Sequence, residues 1–293
     1  MENDIKIITP EDWEDYELID SGEKELLERF GSYFFVRPEP DALWKKSVDK
    51  TIWNKAHAVY QRSPMGGGRW TYRQQIPESW QISWKNLTFL IKPTGFKHMG
   101  IFPEQAAFWK IIEEKIKSAQ RPISLLNLFA YTGGSSLAAA SAGAAVTHLD
   151  SSKDILTWAH ENARLSKLEK ASIRWIPEDA ITFVKREIKR GKKYDCILMD
   201  PPKFGRGVKN EVWKIEEDLA KLLELCVQLL SDKPLLFIIN TYATSYSSIT
   251  LGNILSQAMK NVKGKTSAGE LGIKQSSNGI LVPSSIFGMW AAD

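Results

Sequence analysis

From Arg121 to the C-terminus, short apolar runs alternate with longer segments whose apolar residues recur every three or four positions. The runs "ISLLNLF" (123–129), "AVTHL" (145–149), "SIRWI" (172–176), "YDCILM" (194–199) and "PLLFIIN" (234–240) predict strands. Between them, "GSSLAAASAGA", "KDILTWAHENARLSKL", "DAITFVKREIKR" and "EVWKIEEDLAKLLELCVQLL" predict helices, and "LGNILSQAMK" adds one more. Strands that alternate with helices in this way predict an α/β unit with a parallel sheet. The tail changes character: "TSAGELGIKQ" and "GILVPSSIFGMWAA" flank the turn signal "SSNG", which predicts an antiparallel hairpin closing a sheet edge.

The first hundred residues follow a different pattern, with strand-like pieces such as "YFFVRP" and "LTFLIKP" and six tryptophans at Trp13, Trp44, Trp53, Trp70, Trp80 and Trp84. They predict a small β-rich accessory domain over residues 1–95, ahead of a catalytic domain over 96–293. Its tryptophans have two readings, as packing in a domain short of core volume or as platforms for nucleic-acid bases. The stretch "SPMGGGRW" (63–70) predicts a loop, because three glycines lose too much entropy inside a regular element.

Composition narrows the class. The 293 residues are 43% apolar and 11% aromatic, enough for a packed core. The acidic start and the lack of any apolar run of about 20 residues predict a soluble, unexported, cytoplasmic protein. Cys196 and Cys226 both lie in apolar segments, which suits a reducing compartment and predicts neither a disulfide framework nor a metal site. A net charge of +4 permits a nucleic-acid partner without requiring one. The basic block "KREIKRGKK" (185–193) reads either as a solvated helix end or as a surface for phosphates.

Candidate chemistry gathers at the strand ends. The first strand runs into "AYTGGSS" and an alanine-rich helix, so a glycine turn and a helix N-terminus offer backbone N–H groups to a ligand. The turn lacks G-x-G-x-x-G, which disfavours a nicotinamide oxidoreductase. Asp150 ends the second strand, about 20 residues after the turn, at the separation where an acid reaches the two hydroxyls of a ribose. Glu178 and Asp179 follow the third strand, where a carboxylate can accept from an adenine amine, while Asp179 reads equally as a helix N-cap. The fourth strand leaves through "MDPPKFGRG" (199–207), a stiff exit with an acid in front of two prolines and an aromatic behind.

This ordered series resembles the class I S-adenosylmethionine-dependent methyltransferases. Within them, "NLFAYTGGSSLAAASAGA", "LDSSKDILTWAHENA" and "DPPKFGRG" look like the RlmI/RlmK-like branch, whose characterised members modify large-subunit ribosomal RNA. The segment "GFKHMGIFPEQ" (95–105) is similar to a pattern of the same branch. The resemblance implies a Rossmann-like seven-stranded core, five parallel strands plus a terminal hairpin, behind the β-rich domain. It implies S-adenosylmethionine as cofactor, held by Phe102, Gln105, Asn127, Phe129, Ala130, Tyr131, Thr132, Gly133, Gly134, Asp150, Ser151, Ser152, Glu178, Asp179 and Asp200. At the transfer site, Asp200 with the carbonyls of Pro201 and Pro202 would accept from the target group, and Phe204 would stack on a flipped base. Lys203 reads as a phosphate contact or as a solvated lysine.

One departure bears on the target. Methylation at pyrimidine carbon 5 needs a thiolate that first adds at carbon 6, and the fifth strand ends "IINTYATS" where the cytosine-modifying relatives carry a cysteine. Cys196 lies four residues before Asp200, about 13 Å back at strand rise. The expected reaction is therefore methyl transfer to a nitrogen of an RNA base, ribosomal RNA first, with no covalent intermediate and no metal. Thr241 and Tyr242 read as pocket-shaping or as structural. Methylation of a small molecule or protein side chain, or a non-catalytic S-adenosylmethionine- or RNA-binding module, are the alternatives.

Overall fold

The computed structural model describes residues 4–63, 67–209, 211–242 and 245–293. The chain forms two compact units, one of the residues up to Ile8 with Ala107–Leu271 and Ser284–Asp293, the other of Thr9–Ala106 with Gly272–Pro283. Relative to a division at residue 95, the first strand joins the larger unit, while residues 96–106 and the tip of the terminal hairpin join the smaller.

In chain order the elements are β1 (Lys6–Ile8), β2 (Tyr16–Gly22), β3 (Glu25–Phe30), β4 (Tyr33–Pro38), α1 (Lys50–Trp53), β5 (Ala58–Arg62), β6 (Gly68–Tyr72), β7 (Trp80–Trp84) and β8 (Leu87–Ile91). A 3-10 turn, Pro103–Gln105, precedes α2 (Ala106–Ser118). Then come β9 (Ser124–Leu128), α3 (Gly134–Ser141), β10 (Ala145–Asp150), α4 (Lys153–Leu165), β11 (Ile173–Pro177), α5 (Ala180–Lys189) and β12 (Cys196–Met199). The chain ends with β13 (Phe204–Arg206), β14 (Val212–Lys214), α6 (Ile215–Val227), β15 (Leu236–Thr241), α7 (Ser248–Ala258), β16 (Lys265–Lys274) and β17 (Leu281–Ala291).

The larger unit is built on one sheet of order β1-β16-β17-β15-β12-β9-β10-β11. The strands β9, β10, β11, β12 and β15 run parallel, and β17 returns antiparallel to β15, as the sequence pattern predicts. The sheet has eight strands where seven are expected. The addition is β1, which pairs in parallel with β16 through Lys6↔Gly269 and Ile8↔Leu271. Three residues cannot announce themselves by periodicity, so this pairing is invisible in the local sequence.

Alternate residues of each central strand face opposite cores. Leu125, Cys196, Leu198 and Ile238 pack with Phe108 and Ile112 of α2 and with Ala139 of α3. Leu126, Ile197, Phe237 and Ile239 pack with Phe183 of α5, Leu222 of α6 and Leu251 of α7. Helical cover on both faces explains the continuous apolar runs, since neither set of alternate side chains meets water. The "EVW" preceding α6 is not helical: Val212 and Trp213 lie on β14, which forms an antiparallel hairpin with β13. Lys189, Arg190, Lys192 and Lys193 lie exposed at and just past the C-terminal end of α5, away from the strand ends that carry Asp150 and Asp200. Cations at a helix C-terminus complement its dipole.

The smaller unit holds β2 to β8, in a sheet of order β2-β3-β4-β5-β6 and a separate β7–β8 pair. Its tryptophans are packing residues. Each indole N–H donates inside the unit: Trp13 to Pro103 O, Trp44 to Ser21, Trp53 to Asp20, Trp70 to Thr94 O, Trp80 to Phe30 O and Trp84 to Glu11 O. Of the expected glycine loop, residues 64–66 lie outside the described residues, and Gly68 stands on β6 instead. A Cβ at Gly68 would run into the Tyr60 ring, so glycine serves a close approach between strands and not a loop.

A buried carboxylate ties this unit together. Asp20 accepts from the Ser47 N–H at 3.0 Å, the Val48 N–H at 3.1 Å, the Trp53 indole at 2.9 Å, Gln275 at 3.2 Å and the Ser277 hydroxyl at 3.1 Å. Burial pushes its pKa up, but the Ser47 hydroxyl, the two backbone N–H groups and the indole outweigh burial and hold it below the ordinary carboxylate value. The resulting stability is fully present above an unfolded-state pKa of about 3.9 and is lost as pH falls through the lower folded value. Asp20→Asn is expected to lower unfolding free energy by about 1–3 kcal/mol at neutral pH and to weaken the acid dependence. Denaturant titrations at several pH values check this; an unchanged acid limb counts against it.

Candidate active site

Everything that positions the site follows from where β9 lies. It stands between β10 and β12, where the chain order of the sheet reverses, so its exit opens at the crevice where ligands bind in open α/β sheets. Register puts Leu128 beside both Leu149 and Met199, and Asp150 beside Pro177. The glycine turn, Asp150, Asp179 and Asp200 consequently share one edge of the sheet.

The turn after β9 places Phe129 (φ 56°), Tyr131 (φ 50°) and Gly133 (φ 98°) in the left-handed region. Two non-glycine residues there cost about 1–2 kcal/mol each and persist only where their surroundings impose them. The imposing bonds are present: the Ala130 N–H donates to Leu149 O at 3.0 Å, the Tyr131 N–H to Asp150 Oδ2 at 3.0 Å, and Asn162 Nδ2 to Thr132 O at 2.9 Å. Beneath the turn, Asn127 Nδ2 donates to Ser136 Oγ at 3.0 Å, and Ser136 Oγ bonds His148 Nδ1 at 2.9 Å. Burial, with His160 nearby, pushes His148 down to about 3, so a neutral imidazole supports the turn at neutral pH. Asn127 is thus a buried supporting residue, and Ser136 and His148 are partners that the sequence reading does not identify.

Helix α3 starts at Gly134 with no side-chain cap, which leaves its leading N–H groups to whatever the crevice holds. The doubled glycine has two separate causes. Gly133 supplies the left-handed turn, and at Gly134 a Cβ would run into the buried Trp109 ring of α2.

Asp150 bridges the turn and the next helix, accepting from Tyr131 N–H through Oδ2 and from Ser152 N–H at 2.9 Å through Oδ1. Its pKa is raised because burial outweighs these backbone bonds. Ser152 caps α4 by accepting from the Ile155 N–H, and the Ser151 hydroxyl donates to Arg206 O of β13 at 3.2 Å. After β11, Glu178 pairs with Arg186 at 2.5 Å, and Asp179 Oδ1 caps α5 by accepting from Thr182 N–H at 2.8 Å. The cap reading of Asp179 therefore holds, and the cap engages Oδ1.

At the fourth strand exit, Asn240 Nδ2 donates to Asp200 Oδ1 at 2.9 Å, and Ser285 Oγ donates to Asn240 Oδ1 at 2.8 Å. The carboxylate, which can only accept, requires the Nδ2 end of the amide, and the serine hydroxyl donates to the Oδ1 that is left. Pro201 O accepts from Thr241 Oγ1 at 3.2 Å and Pro202 O from Trp213 Nε1 at 2.7 Å, so one lone pair of each carbonyl is engaged within the protein. Thr241 is buried and acts as this tie. Phe204 is 54% exposed, and Lys203 is exposed with its amine 4.0 Å from Glu216. Cys196 is buried and pushed up to about 12 by burial, and buried Cys226 is raised further. Neither is a thiolate at neutral pH.

Phe102 and Gln105 lie in the smaller unit, at the start of the 3-10 turn and at its end, with the Phe102 ring 5.0 Å from that of His98. Among the described residues no cluster of side chains suits a metal ion, and no helix is long and apolar enough to cross a membrane.

Known proteins resemble this chain in sequence and in fold. The chain is 40% identical to the SAM-dependent methyltransferase from Agrobacterium tumefaciens, with a TM-score of 0.95 over 98% of this chain and 94% of that one. A methyltransferase structure complexed with SAH shares the fold, at 20% identity and a TM-score of 0.74 over 96% of this chain and 76% of that one. Among curated proteins, ribosomal RNA large subunit methyltransferase K/L of Shewanella frigidimarina is 34% identical over 145 residues, 49% of this chain and 20% of that protein. Its counterpart in Syntrophotalea carbinolica is 29% identical over 184 residues, 62% of this chain and 25% of that protein. The matched stretch thus spans a fifth to a quarter of these curated relatives. The model of the S-adenosylmethionine-dependent methyltransferase family matches residues 52–250, well over half the sequence, and the chain belongs to that family.

Proposed function

We propose that the chain transfers a methyl group from S-adenosylmethionine to a nitrogen of an RNA base, with large-subunit ribosomal RNA the first candidate, and without a covalent cysteine intermediate. The cofactor fits the residues present. An uncapped helix N-terminus suits its carboxylate, and Asp150, which accepts backbone N–H groups through both oxygens, keeps lone pairs for vicinal hydroxyls. Bound there, it supplies an electrophilic methyl on a sulfonium, so the protein's task is to orient the acceptor.

In this reading Asn127, Phe129, Ala130, Tyr131, Thr132, Gly133, Gly134, Asp150, Ser151 and Ser152 form and support the methionine and ribose end. Asp179 offers Oδ2 to the adenine amine, with Glu178 beside it on the same exit. Asp200, which the resemblance also counts among the cofactor residues, faces the target group with Pro201 and Pro202, Lys203 flanks it, and Phe204 stacks on the base. For Phe102 and Gln105 the assignment rests on the sequence resemblance alone. The larger unit carries the chemistry and the β-rich unit is accessory, in a cytoplasmic enzyme that needs no metal.

The observation that carries the proposal is the relay from Ser285 through Asn240 to Asp200, beside an exposed aromatic and with both thiols buried elsewhere. It sets a carboxylate for an amine and offers no nucleophile for carbon 5. The names of the curated relatives support RNA as the substrate class. The test incubates the protein with methyl-labelled S-adenosylmethionine and total RNA lacking its native modifications, then maps the label. Label on a base nitrogen is expected, with RNA affinity that falls steeply as salt rises. Label at pyrimidine carbon 5, or on protein or small molecules alone, overturns the proposal.

A further inference from the structure

The hairpin β13–β14 follows the Asp200 exit directly, and its return strand carries one large buried side chain, Trp213. Trp213 stands opposite Gly205 and turns inward. Its Nε1 donates to Pro202 O at 2.7 Å, and its ring meets that of Phe129 with centroids 4.9 Å apart and planes at 53°. Phe129 opens the left-handed turn beneath the cofactor site, and Pro202 lies two residues before Phe204. One side chain therefore touches both the turn that holds the donor and the exit that faces the acceptor. The hairpin is tied at other points as well: Ile215 N–H donates to Lys203 O at 3.1 Å, Gly207 N–H to Glu211 O at 2.8 Å, and Ser151 Oγ to Arg206 O at 3.2 Å.

Two proline rings fix φ at Pro201 and Pro202, but rotation about ψ of Pro202 still decides where the following peptide plane and Phe204 point. The carbonyl of Pro202 lies in that plane, so an indole N–H bonded to it fixes that plane, while the Ile215 N–H on Lys203 O holds the next one. We propose that Trp213 is a positioning residue that clamps the Asp-Pro-Pro exit to the glycine turn, so that occupation of the donor site sets the angle at which the acceptor is presented. The inference rests on the methyl-transfer reading, yet has a readout that needs no acceptor.

The test compares Trp213→Phe, which keeps an aromatic ring and removes the N–H, with Trp213→Ala, which removes both. In the wild type, adding SAH, the demethylated donor, is expected to slow amide hydrogen exchange across residues 203–214. In Trp213→Phe that protection is expected to be lost while the Kd for SAH stays within about twofold, because the turn keeps its aromatic neighbour. On the RNA substrate kcat should fall about 10–100-fold with KM nearly unchanged. Trp213→Ala should in addition weaken SAH binding. Retained protection in Trp213→Phe overturns the inference, as does a fall in SAH binding that merely tracks a lower Tm. Wild-type protein that shows the protection but methylates no RNA refutes the RNA reading and leaves the clamp standing.

Discussion

Asp200→Ala is expected to lower kcat by about 10²–10³-fold, the loss typical when one preorganised polar group facing the reacting atoms is removed. Its carboxylate is held from behind by Asn240 and Ser285, so in the proposed reaction an incoming amine would meet it already oriented. Truncation removes the group that accepts from the acceptor while leaving the glycine turn and Asp150 in place. The Kd for SAH, measured by calorimetry, should therefore change by less than about threefold. Asn240→Ala acts through Asp200 and should cost less, about tenfold in kcat. Full activity in Asp200→Ala would refute the assignment of the fourth strand exit as the transfer site.

Asp150→Ala should show the opposite division of effects. Hydrogen bonds from two ribose hydroxyls to one carboxylate contribute about 1.5–3 kcal/mol each, so Kd for the donor should rise about 10²–10⁴-fold. The substitution also removes the acceptor that holds Tyr131 in its left-handed conformation. Asp150→Asn keeps one oxygen acceptor and should fall between the wild type and the alanine variant. Binding titrations with SAH check the order; equal affinities for all three proteins would place the ribose elsewhere.

What could be read in advance was local or tied to a sheet buried on both faces. The five parallel strands were legible because the helices cover both sets of alternate residues, as with Leu125 and Leu126 of β9. The positions of Asp150 and Asp200 at strand exits were legible because one ends β10 and the other directly follows β12. The reason for the second glycine was not, since the Trp109 ring that excludes a Cβ lies on α2, well upstream. Asn240 and Ser285 are ordinary residues until strands β15 and β17 bring them together. Trp213 continues the helical spacing of α6 and reads as a helix residue; only the pairing with Gly205 reveals a strand. The cap made by Asp179 could be named but not chosen, because cap and adenine acceptor place the same residue type at the same position.

Strand β1 has a consequence for biosynthesis. Its partner β16 lies some 260 residues later, so residues 6–8 leave the ribosome long before anything exists for them to pair with. With Ile5 and Ile7 exposed even in the finished protein, this short apolar stretch must wait unpaired while the rest of the chain is translated. A closure of such high contact order comes late and slowly, so residues 6–8 and the facing edge of β16 stay unpaired until the last β-ribbon docks.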